Sequence, residues 1–559
     1  MAYRRDELRW NGWGLRSATF ELHGHDDEVW AFVAGVVGVA SLPETPAPDL
    51  ASVELPPPTL PDELMLELTE ALDESRVLTS DFERALHAYG RSYPDMVQLR
   101  SGRLEMAPDA VVYPENAAEV AAVLNICSTH NIAVIPFGGG SSVVGGVEAR
   151  PGEDQKGVVT LDTTRMRRLL DLDEVSHTAT FEAGIYGPEL EAALQERGYT
   201  LGHFPQSFEF STLGGWIAAR GAGPQSKRYG TANKWLVATT VLTPQGEMRT
   251  LPFPQSAAGP NLNELICGSE GVLGVITKAT VKVHRMPDTR DIRAYLFKDF
   301  RSGVEAVRCI AQSGVSVAMM RLSDSDESYF YGTLKGLLKP SSAVTRVGEK
   351  ALALAGYVPG EGDGRGRCAL MIGVEGNAHD VRHSVLRTTA MCVSAGGAPI
   401  GKGPGKSWED SRFSMPYLRD PLLDRGVAID TLETSTTWSN VEALAAKVRA
   451  AIRAELGEHA AILCHISHSY GDGCSLYFTF FFARDLEDPI AQWRRVKTAA
   501  SDAIAEGGGT ISHHHGVGRD HAPWMATEKG SMGMELLRAA KNRVDPAGVL
   551  NPGKLLLEE

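Results

Sequence analysis

A chain of 559 residues is too long for one hydrophobic core, so two or more domains are expected. Hydrophobic residues at 43% and charged residues at 22% are ordinary globular values and leave little room for extended disorder. With 70 acidic against 55 basic residues the formal net charge is -15, a field that repels nucleic acid and anionic lipid, so an anionic substrate must be gripped by a few local Arg or Lys side chains.

The opening MAYRRDELRWNGWG lacks the apolar run of a signal peptide, and the longest apolar stretch, Trp30 to Leu42, falls short of the roughly 20 residues that span a bilayer. Prolines in 42–63 fix φ and lack an N–H, which predicts an extended connector over the surface. Helical spacing follows from Leu64 to Tyr89. From about Leu104 strands and helices alternate. Ala110 to Tyr113 reads as a strand; Asn116 caps a helix, with Glu119 three residues on and Val120, Val123, Leu124 and Cys127 on one face. Ile132 to Phe137, Gly157 to Leu161, Thr178 to Phe181, Trp235 to Leu242 and Val275 to His284 read as further strands.

After Pro287 the order is strand (Arg293 to Phe297), helix (Gly303 to Gln312) and strand (Ser316 to Arg321). A strand (Ala369 to Val374), a helix (Val381 to Ser394) and two strands, Ala461 to Ser469 and Ser475 to Phe482, follow. This predicts an antiparallel sheet with helices on one face. Between them 332–366, rich in Gly, Lys, Ser and Pro, is expected as a mobile loop or short helix at the substrate entrance. The predicted class is α+β in four parts: an N-terminal segment (1–103), an α+β domain (104–287), a cap domain (288–506) and a C-terminal segment (507–559). The seven cysteines form no CxxC pair and no metal-ligand spacing, and KLLLEE is no peroxisomal address. A cytoplasmic protein with reduced thiols is expected.

The densest chemical signal is VIPFGGGSSVVGG, Val134 to Gly146, directly after a buried strand. Consecutive glycines reach positive φ and turn their amides toward an anion, and Ser141 and Ser142 add hydroxyl donors. Alone, this loop reads equally well as a tight strand-to-helix turn. It has no Lys and no G-x-G-x-x-G, so it is neither a P-loop nor a Rossmann entry. Gly405, Lys406 and Ser407 resemble the end of a P-loop, but Ile400 stands where the first Gly is needed and Pro404 interrupts, which predicts a surface turn. Two more small-residue loops shift the balance. Gln206, Ser207, Phe208, Glu209, Phe210, Ser211 and Thr212 lead through a Gly pair to Ala219, Arg220, Gly221 and Ala222. Gly268, Ser269, Glu270, Gly271, Val272, Leu273 and Gly274 run into a strand.

The first loop (Pro136, Phe137, Gly138, Gly139, Gly140, Ser141, Ser142), then FSTLGG, GSEGVLGVIT and the terminal DPAGVLNPGK, resemble the FAD domain of the vanillyl-alcohol oxidase superfamily. The resemblance implies a two-part FAD-binding domain with an antiparallel-sheet cap, the first loop around the pyrophosphate and the later loops along the flavin. No His or Cys stands in the glycine loop where similar enzymes attach the flavin, so non-covalent FAD is expected.

Within that superfamily, Leu8 to Gly14 (LRWNGWG), Tyr417 to Asp420 (YLRD), Leu476-Tyr477-Phe478 and Ser512 to Gly518 (SHHHGVG) resemble the alkyl-dihydroxyacetone-phosphate synthase branch, which installs the ether bond of ether lipids. By itself Arg419 reads as a salt-bridge residue; the resemblance makes it the substrate-phosphate ligand, a task for a planar, permanently charged fork. Strand alternation sets Ser475, Tyr477 and Thr479 on one face, opposite Leu476, Phe478 and Phe480. Tyr477 then becomes the implied acid/base, a phenolate taking an α-proton. In an extended segment His513 and His515 point one way and His514 the other, so no shared metal ion is expected. The three are read as a wall that moves protons and polarises a carbonyl or carboxylate. The implied reaction exchanges the acyl group of acyl-dihydroxyacetone phosphate for a long-chain alcohol without net redox change, with reduced flavin as covalent catalyst. A homodimer and weak membrane contact through 332–366 are expected alongside. The same fold also serves an FAD-linked oxidase or dehydrogenase of a 2-hydroxy acid, with Arg419 on the carboxylate and a histidine as base.

Overall fold

Residues 5–338, 343–361 and 365–557 are described by the structure, a computed structural model. Asn116 accepts the amide of Glu119 at 3.1 Å and starts the helix Ala117–His130, whose Val120, Val123, Leu124 and Cys127 are fully buried. That face packs on a four-stranded sheet in the order Val77–Leu78, Ala110–Val112, Val158–Asp162, Ala133–Phe137. Its last three strands run parallel, and such strands are covered on both faces, which is why they read as unbroken apolar runs. Five antiparallel strands form a second sheet, ordered Leu169–Asp173, Thr178–Glu182, Val275–Lys282, Leu236–Thr243, Gly246–Arg249.

The third sheet carries the chemistry. Among the described residues it has seven antiparallel strands: Ala398–Gly401, Thr289–Phe297, Cys368–Gly376, Met319–Ser323, Ala461–Ile466, Gly473–Ala483 and Val427–Thr437. Leu370, Leu476, Phe478 and Phe480 bury one face against the helices Phe300–Gln312, Ala378–Ser394, Val441–Leu456 and Pro489–Glu506. Each such side chain contributes roughly 1.5–3 kcal/mol. A one-residue slip would swing Phe478 and Phe480 into the opposite cavity and Tyr477 into the core, so the apolar face locks the register that aims Tyr477.

Several elements differ from the sequence expectation. Leu64 to Tyr89 is two helices, Asp62–Leu72 and Asp81–Leu86: Asp73 turns at φ 95°, Val77–Leu78 forms a strand, and Ser80 caps the next helix afresh. Gly405, Lys406 and Ser407 lie inside the helix Gly403–Ser411; Pro404 sits in its first turn, where a missing N–H costs nothing. The 332–366 region is mostly helix, within Ser325–Leu338 and Ala343–Leu354, while 339–342 and 362–364 lie outside the described residues. Val427–Thr437 was not expected as a strand, because Asp430, Thr431, Glu433 and Thr434 blur its alternation. The 42–63 connector does run over the body, with the amides of Thr45 and Thr59 donating to the Asp424 carbonyl and the Asp109 carboxylate. No described helix is long and apolar enough to cross a membrane.

Candidate active site

A cavity of about 1320 Å³ lies between the glycine-rich loops and the polar face of the seven-stranded sheet. Single-ligand pockets span roughly 300–1,000 Å³, so a cofactor and a substrate fit together here. All of Pro136 to Ser142 line it, as do Gln206, Ser207, Ser211 and Thr212. Ala219, Gly221, Ala222, Glu270, Gly271 and Gly274 complete the loop wall. A Cβ added to Gly138 would lie 2.3 Å from Thr212 Oγ1, and one on Gly139 would lie 1.9 Å from the Phe210 carbonyl. Only bare backbone lets the 136–142 loop pack this closely against Phe210 to Thr212, and the two loops together form the cavity wall.

Other loop residues face away from the cavity. Phe208 stacks on Phe413 at 5.5 Å, and Phe210 meets Trp13 edge-on at 5.7 Å. Glu209 sits beside them, its carboxyl pushed up by burial. Arg220 turns at φ 54° to pair with Glu264. Val272 packs on Met525 and Met534, and Gly268, Ser269 and Leu273 back the turn without lining the cavity. Sequence neighbours of a glycine wall alternate between lining it and supporting it.

On the sheet side, the Tyr477 ring stacks on His465, its cross-strand partner, at 4.7 Å and 16°. His465 Nδ1 is 2.9 Å from Glu327 Oε1, and Arg321 donates to the same oxygen at 2.8 Å. Burial pushes the Tyr477 hydroxyl up to about 12, against a hydrogen bond to Thr431 that lowers it. Tyr477 is therefore a neutral phenol at physiological pH, not the standing phenolate expected from the sequence.

The histidines are placed by a carboxylate that sequence reasoning missed. Glu433, on Val427–Thr437, is fully buried, and its Oε1 accepts the amides of His513, His514 and His515 at 2.9–3.0 Å and the Ser512 hydroxyl at 3.0 Å. The segment is thus a tight turn wrapped round an anion, followed by Gly516 at φ 87°, and not an extended strand. His514 and His515 both line the cavity, whereas His513 lies behind with Nδ1 2.9 Å from His514 Nδ1. The alternation argument fails here for that reason. Burial alone would raise Glu433; the charge and hydrogen bond of His514 overcome it and hold the carboxyl well below its ordinary range. Burial, reinforced by His514, lowers His515 to about 3 and His513 to about 4, so both are neutral imidazoles at pH 7.

His468 was also missed. It follows the strand Ala461–Ile466, lines the cavity, and puts its ring 5.0 Å from that of His513 and 4.9 Å from that of His514.

Arg419 opens the helix Arg419–Leu423 and lines the cavity with its Nε buried and unpartnered. One Nη donates to the Arg91 carbonyl, and no described carboxylate pairs with the guanidinium. The adjacent Asp420 accepts the Trp13 amide at 3.0 Å and Arg9 Nη1 at 3.1 Å, which joins the LRWNGWG and YLRD motifs into one wall. A cation at a cavity with a free Nε and no directly paired carboxylate among the described residues fits an anionic ligand group.

Residues 108–252 match the FAD binding domain family and residues 286–555 the C-terminal domain of FAD linked oxidases. The alkyldihydroxyacetonephosphate synthase of Trypanosoma brucei brucei is 32% identical, covering 99% of this chain and 92% of that one. The enzyme of that name from Dictyostelium discoideum is 35% identical over 92% of this chain and 84% of its own length. A solved alkyldihydroxyacetonephosphate synthase structure superposes with a TM-score of 0.82 at 30% identity, covering 98% of this chain and 97% of the other. The chain belongs to the alkyldihydroxyacetonephosphate synthase family. It is an FAD-dependent enzyme with a two-part FAD-binding fold and an antiparallel cap sheet. In this synthase-family chain Glu270 joins the two halves of the site. It lies in a flavin-side loop, and its carboxylate accepts the amides of Val517 and Gly518 at 2.6 and 2.7 Å, just after the histidine turn.

Proposed function

We propose that the chain exchanges the acyl group of an acyl-dihydroxyacetone phosphate for a long-chain alcohol, forming an ether and releasing a fatty acid. The observation that carries this reading is Arg419, a guanidinium with its Nε unpartnered and no ion pair among the described residues, in the cavity that also holds Tyr477, His514, His515 and the flavin loops. Arg419 holds the phosphate. The carbon–oxygen bond to the acyloxy group breaks, a bond from the same carbon to the alcohol oxygen forms, and the alcohol proton balances the departing carboxylate. Held by the 136–142, 206–222 and 268–274 loops, the flavin in its reduced form would supply an electron-rich ring nitrogen that no side chain offers. As a neutral phenol, Tyr477 takes the α-proton only as its own proton passes on, and the neutral imidazole of His515, its ring 5.3 Å away, is the neighbour able to accept it. Tyr331, Leu334, Leu338 and Met415 give the cavity an apolar side for the aliphatic chains.

The flavin is read as dissociable, since no His or Cys lies in the 136–142 loop. Seven unpaired cysteines support a reducing, cytoplasmic setting. Family resemblance supports a homodimer, and Leu354 and Val358, 91% and 55% exposed, support membrane contact near Ala343–Leu354.

The test gives FAD-loaded protein palmitoyl-dihydroxyacetone phosphate and labelled hexadecanol. Ether product is expected, lost in Tyr477→Phe and recovered in Arg419→Ala only at much higher substrate. No ether, with bleaching of the flavin by 2-hydroxy acids, would replace the exchange by a dehydrogenase.

A further inference from the structure

We propose, resting on the acyl exchange above, that Arg412 is a second anion anchor at the rim of the cavity, binding the carboxylate of the departing fatty acid while Arg419 keeps the phosphate. A reaction that admits a phosphate ester and releases a carboxylate has two anions to hold. Six described Arg and Lys side chains line the cavity, and four of them are engaged. Arg91 donates to the carbonyls of Arg9, Gly12, Tyr89 and Gly90. Arg321 pairs with Glu327, the exposed Lys406 pairs with Asp410, and Lys335 also has a partner. Arg419 and Arg412 are left, neither with a carboxylate paired to its guanidinium among the described residues.

The acids near Arg412 are committed to other groups. Glu409 and Glu375 both hold Arg290, at 2.7 and 2.8 Å. Glu191 accepts the Thr200 hydroxyl and the amides of Leu201 and Gly202. Burial, with the charge of Arg290 next, lowers the Arg412 pKa, as for a cation that its surroundings do not balance.

The side chain is preorganised for a planar anion. Arg412 caps the helix Gly403–Ser411, and its carbonyl accepts the Gln206 side-chain amide at 2.7 Å. Its guanidinium carbon lies 4.7 Å from the ring centre of Phe413, 5.0 Å from that of Phe204 and 5.8 Å from that of Trp408. Phe413 and Phe204 both pack on Phe208, at 5.5 and 5.0 Å, which stiffens this aromatic base. Rings cover the face of a guanidinium and leave the N–H groups along its edge, which match a carboxylate in two parallel hydrogen bonds.

Its place in the cavity suits a departing acid. Asp410 and Ser411 beside it line the cavity and are exposed, so Arg412 stands at the rim. Met415, Leu334 and Leu338 line the same cavity and offer the aliphatic chain an apolar wall. The imidazoles of His513 and His515 are neutral at pH 7 and His514 faces Glu433, so the histidine turn leaves the carboxylate without a cation of its own. An acid drawn to Arg412 has left the reacting carbon to the alcohol.

The test measures binding and needs no turnover. FAD-loaded enzyme is titrated by calorimetry with decanoate, with the uncharged decanamide and with dihydroxyacetone phosphate. Wild type should bind one decanoate and prefer it to decanamide by about 10-fold or more, as for a charge-assisted hydrogen-bonded pair. Arg412→Gln should abolish that preference and leave dihydroxyacetone phosphate binding unchanged, whereas Arg419→Ala should do the reverse. Arg412→Lys, which keeps the charge but not the fork, should fall between wild type and Arg412→Gln. No preference for decanoate in wild type overturns the proposal, as does a preference that survives in folded, flavin-loaded Arg412→Gln. A folded Arg412→Gln that cannot hold flavin also overturns it, because Arg412 would then be a flavin ligand. If Arg412→Gln does not fold, Arg419→Ala decides: a preference kept there supports Arg412, and a preference lost assigns the carboxylate to Arg419. Failure of the exchange reading shows separately, as no ether product from an enzyme that still prefers decanoate.

Discussion

At the scale of single residues, Glu433 decides where three imidazoles point, because amides of consecutive residues converge on one of its oxygens. Hydrogen bonds to a charged group contribute about 1.5–3 kcal/mol each, against about 0.5–1.5 for neutral pairs. Glu433→Gln keeps the shape and removes the charge. A lower unfolding temperature and a fall of about 10–100-fold in kcat are expected, with flavin content unchanged. The pH dependence has a definite sign. The folded pKa of Glu433 is depressed, so its stabilisation is full above the unfolded value near 4.3 and is lost as pH falls through the folded one. The stability gap between wild type and Glu433→Gln, measured by urea unfolding, should thus be widest at pH 7 and narrow below about pH 4. A gap that is constant with pH would assign the effect to packing. Glu433 also shows what the sequence could not reveal. Tyr477 was legible because its environment is set by alternation along its own strand. The histidine turn was misread because its shape comes from a carboxylate on another strand, and His468 offered no local pattern at all.

At the scale of elements, the glycine loops were legible because their constraint is local: backbone must pass where a side chain cannot. Which neighbours line the wall was not, since Phe210 and Val272 are drawn back by Trp13 and Met525 from distant segments. Gly139→Ala sets a Cβ against the Phe210 carbonyl and should yield protein purified without flavin, whereas Gly336→Ala, with nothing within 4 Å, should keep a full flavin-to-protein ratio. Equal flavin content in both would remove the close approach as the reason for glycine. The C-terminal strap is a second such element. Asn551 donates to the carbonyls of Gly146 and Glu270, and the buried Lys554 ammonium donates to the Glu148 carbonyl at 2.8 Å. Burial lowers Lys554 from 10.5 to about 7. Between those values the unfolded chain holds a proton that the folded chain has released, so this lysine makes stability rise from pH 7 toward 10. Lys554→Met should remove that rise, seen as the difference between wild-type and variant denaturation midpoints at pH 7 and pH 9.5.

For the molecule as a whole, the net charge of -15 and the proposed lipid substrate pull in opposite directions. A field of that sign repels anionic bilayers, so membrane contact has to come from apolar side chains such as Leu354 and Val358, both exposed. Two consequences separate this from simple capture of monomeric substrate. Affinity for zwitterionic vesicles should be nearly independent of salt, while affinity for anionic vesicles should rise with ionic strength as the Debye length shrinks from about 30 Å at 0.01 M to about 8 Å at 0.15 M. Leu354→Asp with Val358→Asp should lower ether formation severalfold when the substrate is presented in vesicles. The same variant should match wild type when the substrate is dispersed in detergent, because neither residue lines the cavity. Equal losses in both assays would instead mean that the substitutions disturb the local structure of 343–358. No loss in either would show that the lipid reaches Arg419 without this surface.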